Sequence, residues 1–198
     1  MKLHLPIWRL SLKMQIDRIY FPVRTLGFGN RIGLWTIGCK KRCKNCSNPE
    51  LQNENPDKNI SLSDIFCIIE KCKIRADGIT ITGGEPFYQP DELYKLLSFV
   101  RNIGINDILI FTGYSFSELQ QNPETAKILF LAGAIVDGEY IDELNDNIGI
   151  RGSSNQRLYI LDKSLEERYK GFENAKRQSE IINCNGNIMS VGIPKKSV

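Results

Sequence analysis

The sequence has almost no histidine: His4 is the single one among 198 residues. Histidine is the usual acid–base catalyst near neutral pH and a frequent metal ligand, so its scarcity argues against histidine-based catalysis and against metal sites built from several imidazoles. The net charge is also small, because 26 Lys and Arg stand against 23 Asp and Glu and leave +3. A protein held to nucleic acid through its phosphates carries a larger basic excess, so we expect no nucleic-acid partner.

Long apolar runs are missing too. No stretch approaches the roughly 18 uninterrupted apolar residues of a membrane-spanning helix. The N-terminal run Met-Lys-Leu-His-Leu-Pro-Ile-Trp-Arg is broken by charges and a proline, unlike a secretory signal. These features predict a protein with no membrane contact in the cytoplasm, where thiols stay reduced. The length is that of one domain, which we take to span residues 1–198.

Cysteine, by contrast, is present and clustered. Cys39, Cys43 and Cys46 follow a Cys-x3-Cys-x2-Cys spacing. In a reducing compartment such a cluster indicates metal or redox chemistry. Short runs of this kind hold iron–sulfur clusters, and three thiolates on a 4Fe–4S cluster leave one iron open, as a catalytic metal requires. The alternatives are structural zinc completed by a distant fourth cysteine, or three unrelated cysteines.

The other cysteines have a simpler interpretation. Cys67 and Cys72 lie on an apolar helical pattern, where a free cysteine behaves as a small hydrophobic residue. Cys184 lies in a hairpin pattern. We therefore expect these three to be packing residues and not metal ligands.

The hydrophobic spacing predicts alternating strands and helices after an irregular segment over residues 1–29. Such alternation is typical of an α/β protein with a parallel sheet. The predicted strands are 30–37, 78–82, 107–111, 134–136 and 157–161. The predicted helices are 61–75, 90–102, 117–121, 124–131 and 165–177, and a C-terminal β-hairpin joins 181–184 to 187–191 through Asn185-Gly186.

The chemically unusual segments share one position: each begins where a predicted strand ends. They are the cysteine loop, Gly83-Gly84-Glu85-Pro86, Thr112-Gly113-Tyr114 and Asp137-Gly138. The carboxyl ends of parallel strands lie along one edge of a sheet, where ligands bind. We therefore expect these segments to converge on one site.

The residue types at this edge suit a polar ligand. Gly83 and Gly84 leave backbone bare for a close approach, and the carboxylate of Glu85 suits an ammonium group. The Thr112 hydroxyl is able to bond a polar group, and Gly113 allows the chain to pass close to a ligand. Each segment has a plain alternative as a strand-to-helix turn.

The run Gly-Cys-Lys-Lys-Arg-Cys-Lys-Asn-Cys-Ser-Asn-Pro-Glu over residues 38–50 resembles the cluster loop of radical S-adenosylmethionine (SAM) enzymes. Four further segments match in the same order, at residues 83–86, 112–114, 136–138 and 152–157. Together they resemble the small activating proteins of anaerobic ribonucleotide reductase over a core of about residues 16–161. Residues 162–198 form a C-terminal helix and hairpin beyond that core. Many radical SAM enzymes have an aromatic residue just before the third cysteine, where this sequence has Asn45. The reductase activators also tend to lack that aromatic residue, so the difference favours this subgroup.

The resemblance implies a small partial (β/α) barrel of the radical SAM type, followed by the C-terminal β-hairpin. It implies a 4Fe–4S cluster on Cys39, Cys43 and Cys46, with SAM chelating the open iron. No side chain then needs to act as a catalytic acid or base, because the cluster and SAM supply the radical. The residues that the resemblance and the pattern assign to SAM binding are Asn45, Ser47, Gly83, Gly84, Glu85, Pro86, Thr112, Gly113 and Asp137.

The function implied is reductive cleavage of SAM to a 5′-deoxyadenosyl radical that installs a glycyl radical on a partner enzyme such as anaerobic ribonucleotide reductase. A radical SAM enzyme acting on another peptide or a small molecule is the first alternative. A zinc-stabilised binding module that is not an enzyme is the second. Lys40, Lys41, Arg42 and Lys44 form either a solvated loop or a patch that steers an acidic electron donor, a flavodoxin or a ferredoxin, to the cluster.

Overall fold

A mixed sheet forms the centre of the computed structural model, which describes residues 12–184 and 186–195. His4 lies outside these residues. The strands are β1 (Lys13–Val23), β2 (Arg31–Thr36), β3 (Asn59–Ser61), β4 (Gly78–Gly83), β5 (Ile108–Phe111), β6 (Ala134–Asp137), β7 (Arg157–Ile160), β8 (Ser179–Cys184) and β9 (Asn187–Gly192). The helices are α1 (Leu62–Cys72), α2 (Pro90–Asn102), α3 (Phe116–Gln121), α4 (Pro123–Leu129) and α5 (Glu166–Tyr169).

The described strands β1 to β7 make one sheet in the order β3-β1-β2-β4-β5-β6-β7. The central strands β2, β4, β5 and β6 are parallel to one another. Three pairs at the edges of the sheet are antiparallel: β1 with β2, β3 with β1, and β7 with β6. The α/β prediction is therefore confirmed, and its parallel sheet is the centre of a mixed one. The partial barrel stays a prediction.

The two faces of the sheet carry different cores. Along β5, Ile108 and Ile110 belong to the larger core, which packs under α1, α2, α3 and α4. Leu109, between them, belongs to a core on the opposite face, with Leu165 and Tyr169 of the C-terminal segment. This alternation follows from the period of two along a strand. One face is thus covered by helices and the other by the end of the chain.

The hairpin of β8 and β9 covers the face opposite α1, α2, α3 and α4, next to β1 and β2. Ile182 and Val191 are buried there against Val23 and Trp35. The pairing of Cys184 with Asn187 closes a two-residue turn, as the Asn185-Gly186 pattern predicts, although residue 185 lies outside the described residues. The C-terminal β-hairpin is therefore confirmed.

Side-chain caps start the helices that follow the strand ends. The Ser61 hydroxyl accepts the Asp64 N–H at 3.1 Å and begins α1. Ser115 and Glu118 form a reciprocal capping box at the start of α3. Such caps satisfy backbone donors that have no partner within the helix. No helix in the described part of the chain is both long and apolar enough to cross a membrane.

The expectation of an irregular segment over residues 1–29 is wrong for Lys13–Val23, which form β1, and is confirmed for residues 24–29. Asp17 and Arg18 interrupt the apolar alternation of this strand. The Arg18 guanidinium instead lies over the Trp35 ring, 4.8 Å from its centroid. The register also shifts between Ile16 and Arg18, so a simple period of two does not reveal the strand.

The predicted helix over 165–177 is wrong as well. It is reduced to α5, because Gly171 adopts a φ of +83°, a left-handed conformation that ends a helix. Cys72 packs partly against the helix-side core as expected. Cys67 does not pack, because it is exposed on the outer side of α1.

Candidate functional site

The three clustered cysteines lie in the loop that follows β2. The loop is closed at its base, where the Gly38 N–H donates to the Leu51 carbonyl at 2.8 Å. Arg42 and Asn45 both have a φ of +55°, a left-handed conformation uncommon outside glycine. These two tight bends separate the cysteines and turn all three toward one cavity.

Backbone N–H groups face the thiols. The Asn48 N–H lies 3.5 Å from the Cys46 Sγ, and the Tyr140 N–H points to Cys43 from a different loop. Burial raises the pKa of Cys39 and of Cys43, mainly by disfavouring the charged thiolate, and the N–H groups oppose this. Both thiols therefore gain from a cation that stabilises their thiolate form, as bound metal does.

This donor set fits an iron–sulfur cluster better than a single ion. In the described part of the chain, no three His, Cys, Asp or Glu side chains stand close enough to hold one metal ion. A zinc ion needs its ligands at about 2.3 Å from one point. In a 4Fe–4S cluster each thiolate binds a different iron, so three half-buried thiols around one cavity are sufficient.

The glycine pair at the end of β4 packs directly on the cysteine loop. Gly83 has a φ of +108°, and a Cβ added there would lie 2.5 Å from the Thr36 backbone. A Cβ on Gly84 would lie 2.6 Å from the Gly38 carbonyl oxygen. The Glu85 N–H donates to that same carbonyl at 2.8 Å. Only glycine permits this approach, which brings the second predicted segment against the first.

Glu85 joins the ends of β4 and β5 inside the cavity. Its carboxylate accepts the Thr112 hydroxyl at 2.8 Å, the Gly113 N–H at 2.7 Å and the Phe87 N–H at 3.0 Å. Burial raises the pKa of Glu85 to about 7, against the effect of these donors and of Lys41. The donors are all neutral, so a cationic ligand in the cavity would stabilise the carboxylate.

The structure brings most of the predicted residues to this cavity. Ser47 and the glycines line it together with Glu85, Thr112 and the three cysteines. Asn45, Pro86 and Asp137 are not among the lining residues. Asn45 donates to the Asp142 carboxylate at 3.0 Å. Asp137 accepts the Phe116 N–H at 2.7 Å and the Arg157 N–H at 3.1 Å, so its oxygens hold neighbouring loops.

Two parts of the lining have no assigned role in the sequence motifs. Tyr140 lies in the loop after β6, and no local signal marks it. The base of the C-terminal hairpin, residues 190–194, lines the same cavity. Gln156, in the segment 152–157, ties this edge together by accepting the Gly152 N–H at 2.7 Å and donating to the Gly138 carbonyl at 2.6 Å.

Thiols, a glycine cradle and a buried carboxylate at the carboxyl edge of an α/β sheet define an iron–sulfur enzyme. Residues 25–159 match the family described as "4Fe-4S single cluster domain". The anaerobic ribonucleoside-triphosphate reductase-activating protein of Enterobacteria phage T4 is 31% identical over 150 residues, which cover 74% of this chain and 94% of the phage protein. Its counterpart in Escherichia coli K12 is 31% identical over 151 residues, with 72% and 96% covered. The pyruvate formate-lyase-activating enzyme of Clostridium pasteurianum is 26% identical over 116 residues, with 54% and 48% covered.

The chain therefore belongs to the family of anaerobic ribonucleotide reductase-activating proteins, within the 4Fe-4S single cluster domain family. It is a radical SAM enzyme of the activating type, and its cofactors are a 4Fe–4S cluster and SAM. These findings confirm the resemblance and decide between the cluster and the zinc alternatives. The residues that hold each cofactor stay a prediction.

Proposed function

We propose that this protein installs a glycyl radical on a partner enzyme of the anaerobic ribonucleotide reductase kind. The observation that carries the proposal is the meeting of three thiols, the Gly83-Gly84 cradle and Glu85 around one cavity. The kind of partner is taken from the names of the relatives. These are reductase-activating proteins, and the match to this chain covers 94% and 96% of their length.

In this proposal Cys39, Cys43 and Cys46 hold the cluster. When bound, the cluster and SAM supply methionine and a 5′-deoxyadenosyl radical after one electron enters. Glu85 holds the ammonium group of SAM, and Thr112 and Gly113 fix the Glu85 carboxylate by hydrogen bonds. The apolar surroundings of the cavity shield the radical from solvent hydrogen donors.

The remaining predicted residues have different parts in the same site. Ser47 stands on the cavity beside the thiols. Asn45 and Asp137 position loops, through Asp142 and through the Phe116 and Arg157 N–H groups. Pro86, which is buried, starts the turn that follows Glu85.

The finer architecture also belongs to the proposal. The four parallel strands with helices on one face support a partial barrel of the radical SAM type. We take residues 1–198 as one domain, with a core of about 16–161 and an extension of about 162–198. The buried contacts of Ile182 and Val191 with Val23 and Trp35 support this unity. The reduced state that a thiol-held cluster requires supports a cytoplasmic location.

An acidic electron donor, a flavodoxin or a ferredoxin, is part of the proposal, and the cations of the cysteine loop divide into two kinds. Lys41 lines the cavity, and its Nζ lies 3.6 Å from Glu118. Lys44 pairs with Glu143 at 3.1 Å. Lys40 and Arg42 are exposed and have no acidic partner among the described ion pairs. We therefore assign the steering of the donor to Lys40 and Arg42.

Charge reversal tests this assignment. Lys40→Glu with Arg42→Glu is expected to slow cluster reduction by flavodoxin roughly tenfold or more at low salt, because steering raises association rates by 10–1,000-fold. Reduction by dithionite should be unchanged. Lys95→Glu, an exposed change on α2, is the matched control. Equal slowing with both reductants would remove these residues from the docking surface.

The main function is tested by anaerobic incubation of the reconstituted protein with SAM, a reductant and candidate glycyl-radical enzymes. Electron paramagnetic resonance should show a glycyl radical on the partner, and Cys43→Ser should abolish it. SAM cleavage without a radical on any glycyl-radical enzyme would favour another peptide or a small molecule as substrate. A protein without iron and without SAM cleavage would overturn the proposal.

A further inference from the structure

The C-terminal hairpin lies beyond the family match, which ends at residue 159, yet it lines the site. Its inner residues Ile182 and Val191 are buried on the face of the sheet opposite α1, α2, α3 and α4. Its base, residues 190–194, lines the same cavity as the three cysteines. The site in this chain is therefore completed by a segment outside the matched domain.

The hairpin is bonded to the residues after β1, where the Thr25 hydroxyl donates to the Val191 carbonyl at 3.0 Å. A buried side chain, Arg177, fastens the residues after β9 to the edge of the site. The Arg177 guanidinium donates to the Pro194 carbonyl at 2.9 Å and to the Asn145 side chain at 2.7 Å. It also donates to the carbonyls of Arg151 and Gly152 at 2.7 and 2.9 Å. Arg177 is 5% exposed, so these bonds form away from competing water. Four bonds from one planar group fix the end of the hairpin against the Gly152 loop.

The same fastening reaches the cysteine loop through a chain of hydrogen bonds. Asn145, held by Arg177, donates to the Tyr140 hydroxyl at 3.1 Å. That hydroxyl donates to Asp142 at 2.7 Å. Asp142 accepts the Asn45 amide at 3.0 Å, between the second and third cysteines. The hairpin and the cysteine loop are thus tied to one intervening loop.

The wall that the hairpin adds differs chemically from the cofactor end of the cavity. Val191, Ile193 and Pro194 of the hairpin line the cavity together with Trp35 and Phe111 of the sheet. These are apolar groups, although the Arg18 guanidinium, which lies over the Trp35 ring, lines the cavity beside them. The thiols, the glycine backbone and Glu85 suit charged cofactors. The hairpin end therefore suits the neutral part of a substrate, such as the backbone and small side chains of a peptide.

We propose that the hairpin is the substrate-side wall of the site, that Arg177 is the residue that positions it, and that this wall determines which substrate hydrogen reaches the radical. The inference rests on the proposed function and deepens it. The substrate class is an extended peptide segment of a partner protein that enters the cavity beside the hairpin base, residues 190–194.

Release of the wall is the first test. Arg177→Met is expected to raise hydrogen exchange across 179–192 in the cofactor-free protein, and Arg177→Lys to restore part of the protection. Lys176→Met, an exposed neighbour, is the matched control and should change nothing. In the loaded enzyme without any partner, Arg177→Met should increase unproductive SAM cleavage about tenfold, because an opened wall admits solvent hydrogen donors that the closed site excludes. SAM affinity should stay within about twofold.

The second test changes one side chain of the wall, so that an effect on the reaction is not caused by a general loss of folding. Ile193→Ala shortens a residue that lines the cavity. Ile181→Ala is the matched control, because that isoleucine is 79% exposed on the outer face of the hairpin. Ile193→Ala should raise the ratio of 5′-deoxyadenosine to glycyl radical at least about threefold, by loosening the placement of the substrate, and Ile181→Ala should not.

The outcomes separate the two proposals. Absence of a glycyl radical with every partner would overturn the proposed function, while the hydrogen-exchange and partner-free cleavage results would still test the wall. Release of the hairpin with unchanged cleavage and coupling would overturn the wall. Loss of SAM binding in Arg177→Met would overturn it too, by making the segment part of the cofactor site.

Discussion

The two opposite edges of the sheet each contain a buried carboxylate, and the two carboxylates differ in the charge of their hydrogen-bond partners. At the amino edge, the Asp107 carboxylate forms ion pairs with the guanidinium groups of Arg31, at 3.0 Å, and of Arg168, at 3.1 Å. At the carboxyl edge, the hydrogen bonds to Glu85 come only from a hydroxyl and two N–H groups. The negative charge of Asp107 is thus balanced by two guanidinium groups, whereas no hydrogen-bond donor to Glu85 carries a positive charge. A buried acid with neutral partners beside a cavity is a binding group, whereas a paired one holds the fold.

The largest expected effect comes from unpairing the structural edge. Asp107→Ala leaves Arg31, which has no exposed surface, without its partner, and such losses destabilise a protein by about 3–5 kcal/mol. Urea unfolding of the cofactor-free protein measures this. Asp91→Ala is the control, because Asp91 forms an exposed pair with Lys127 and should change stability by less than about 1 kcal/mol. Similar values for the two variants would contradict the contrast.

The next effect is the pH dependence of stability that Glu85 causes. Its folded pKa of about 7 lies above the ordinary 4.5, so folding favours the protonated acid. The associated stability is complete below pH 4.5 and is lost as pH rises through 7. The loss is at most roughly 3.5 kcal/mol, at about 1.4 kcal/mol per pKa unit.

Glu85→Gln removes this titration. Urea unfolding of the cofactor-free protein between pH 4.5 and 8 should show a smaller decline in the variant than in the wild type. Equal slopes would show that Glu85 does not titrate in this range.

The same titration of Glu85 is expected to change ligand affinity. If the Glu85 carboxylate holds the SAM ammonium, SAM affinity should rise with pH by up to about tenfold per unit below pH 7 and level off above it. Calorimetry on the cluster-loaded protein measures this, with Glu85→Gln as the variant that binds weakly and without the slope. A retained slope in that variant would assign the pH dependence to another group.

The smallest expected effect is that of the Ser115 cap, which should change the free energy of unfolding without changing SAM affinity. Ser115 caps α3 directly after the Thr112–Tyr114 segment, and its hydroxyl accepts the Glu118 N–H at 3.3 Å. Ser115→Ala should lower the free energy of unfolding by about 1 kcal/mol. SAM affinity and the pH slope should not change, because no group on Glu85 is altered. A shifted slope would show that the helix start, and not the carboxylate alone, sets the behaviour of the site.

The sequence predicts local features of the site well. The cysteine spacing and Gly83-Gly84-Glu85 are short motifs whose partners are close in the chain or at neighbouring strand ends. It predicts less of what distant contacts decide. Arg18 interrupts the pattern of β1 because its charge lies over Trp35, a partner on another strand. Arg177 shows no local sign of its four acceptors, which belong to two separate segments.

The place of the hairpin in the chain has a consequence for the order of folding. The cysteine loop belongs to the first quarter of the sequence, and the wall that lines the same cavity lies near residue 190. During synthesis the thiols emerge long before the segment that covers them. Contacts between residues so distant in the chain are slow to form, so we expect the cysteine loop to stay uncovered until the hairpin docks on the sheet.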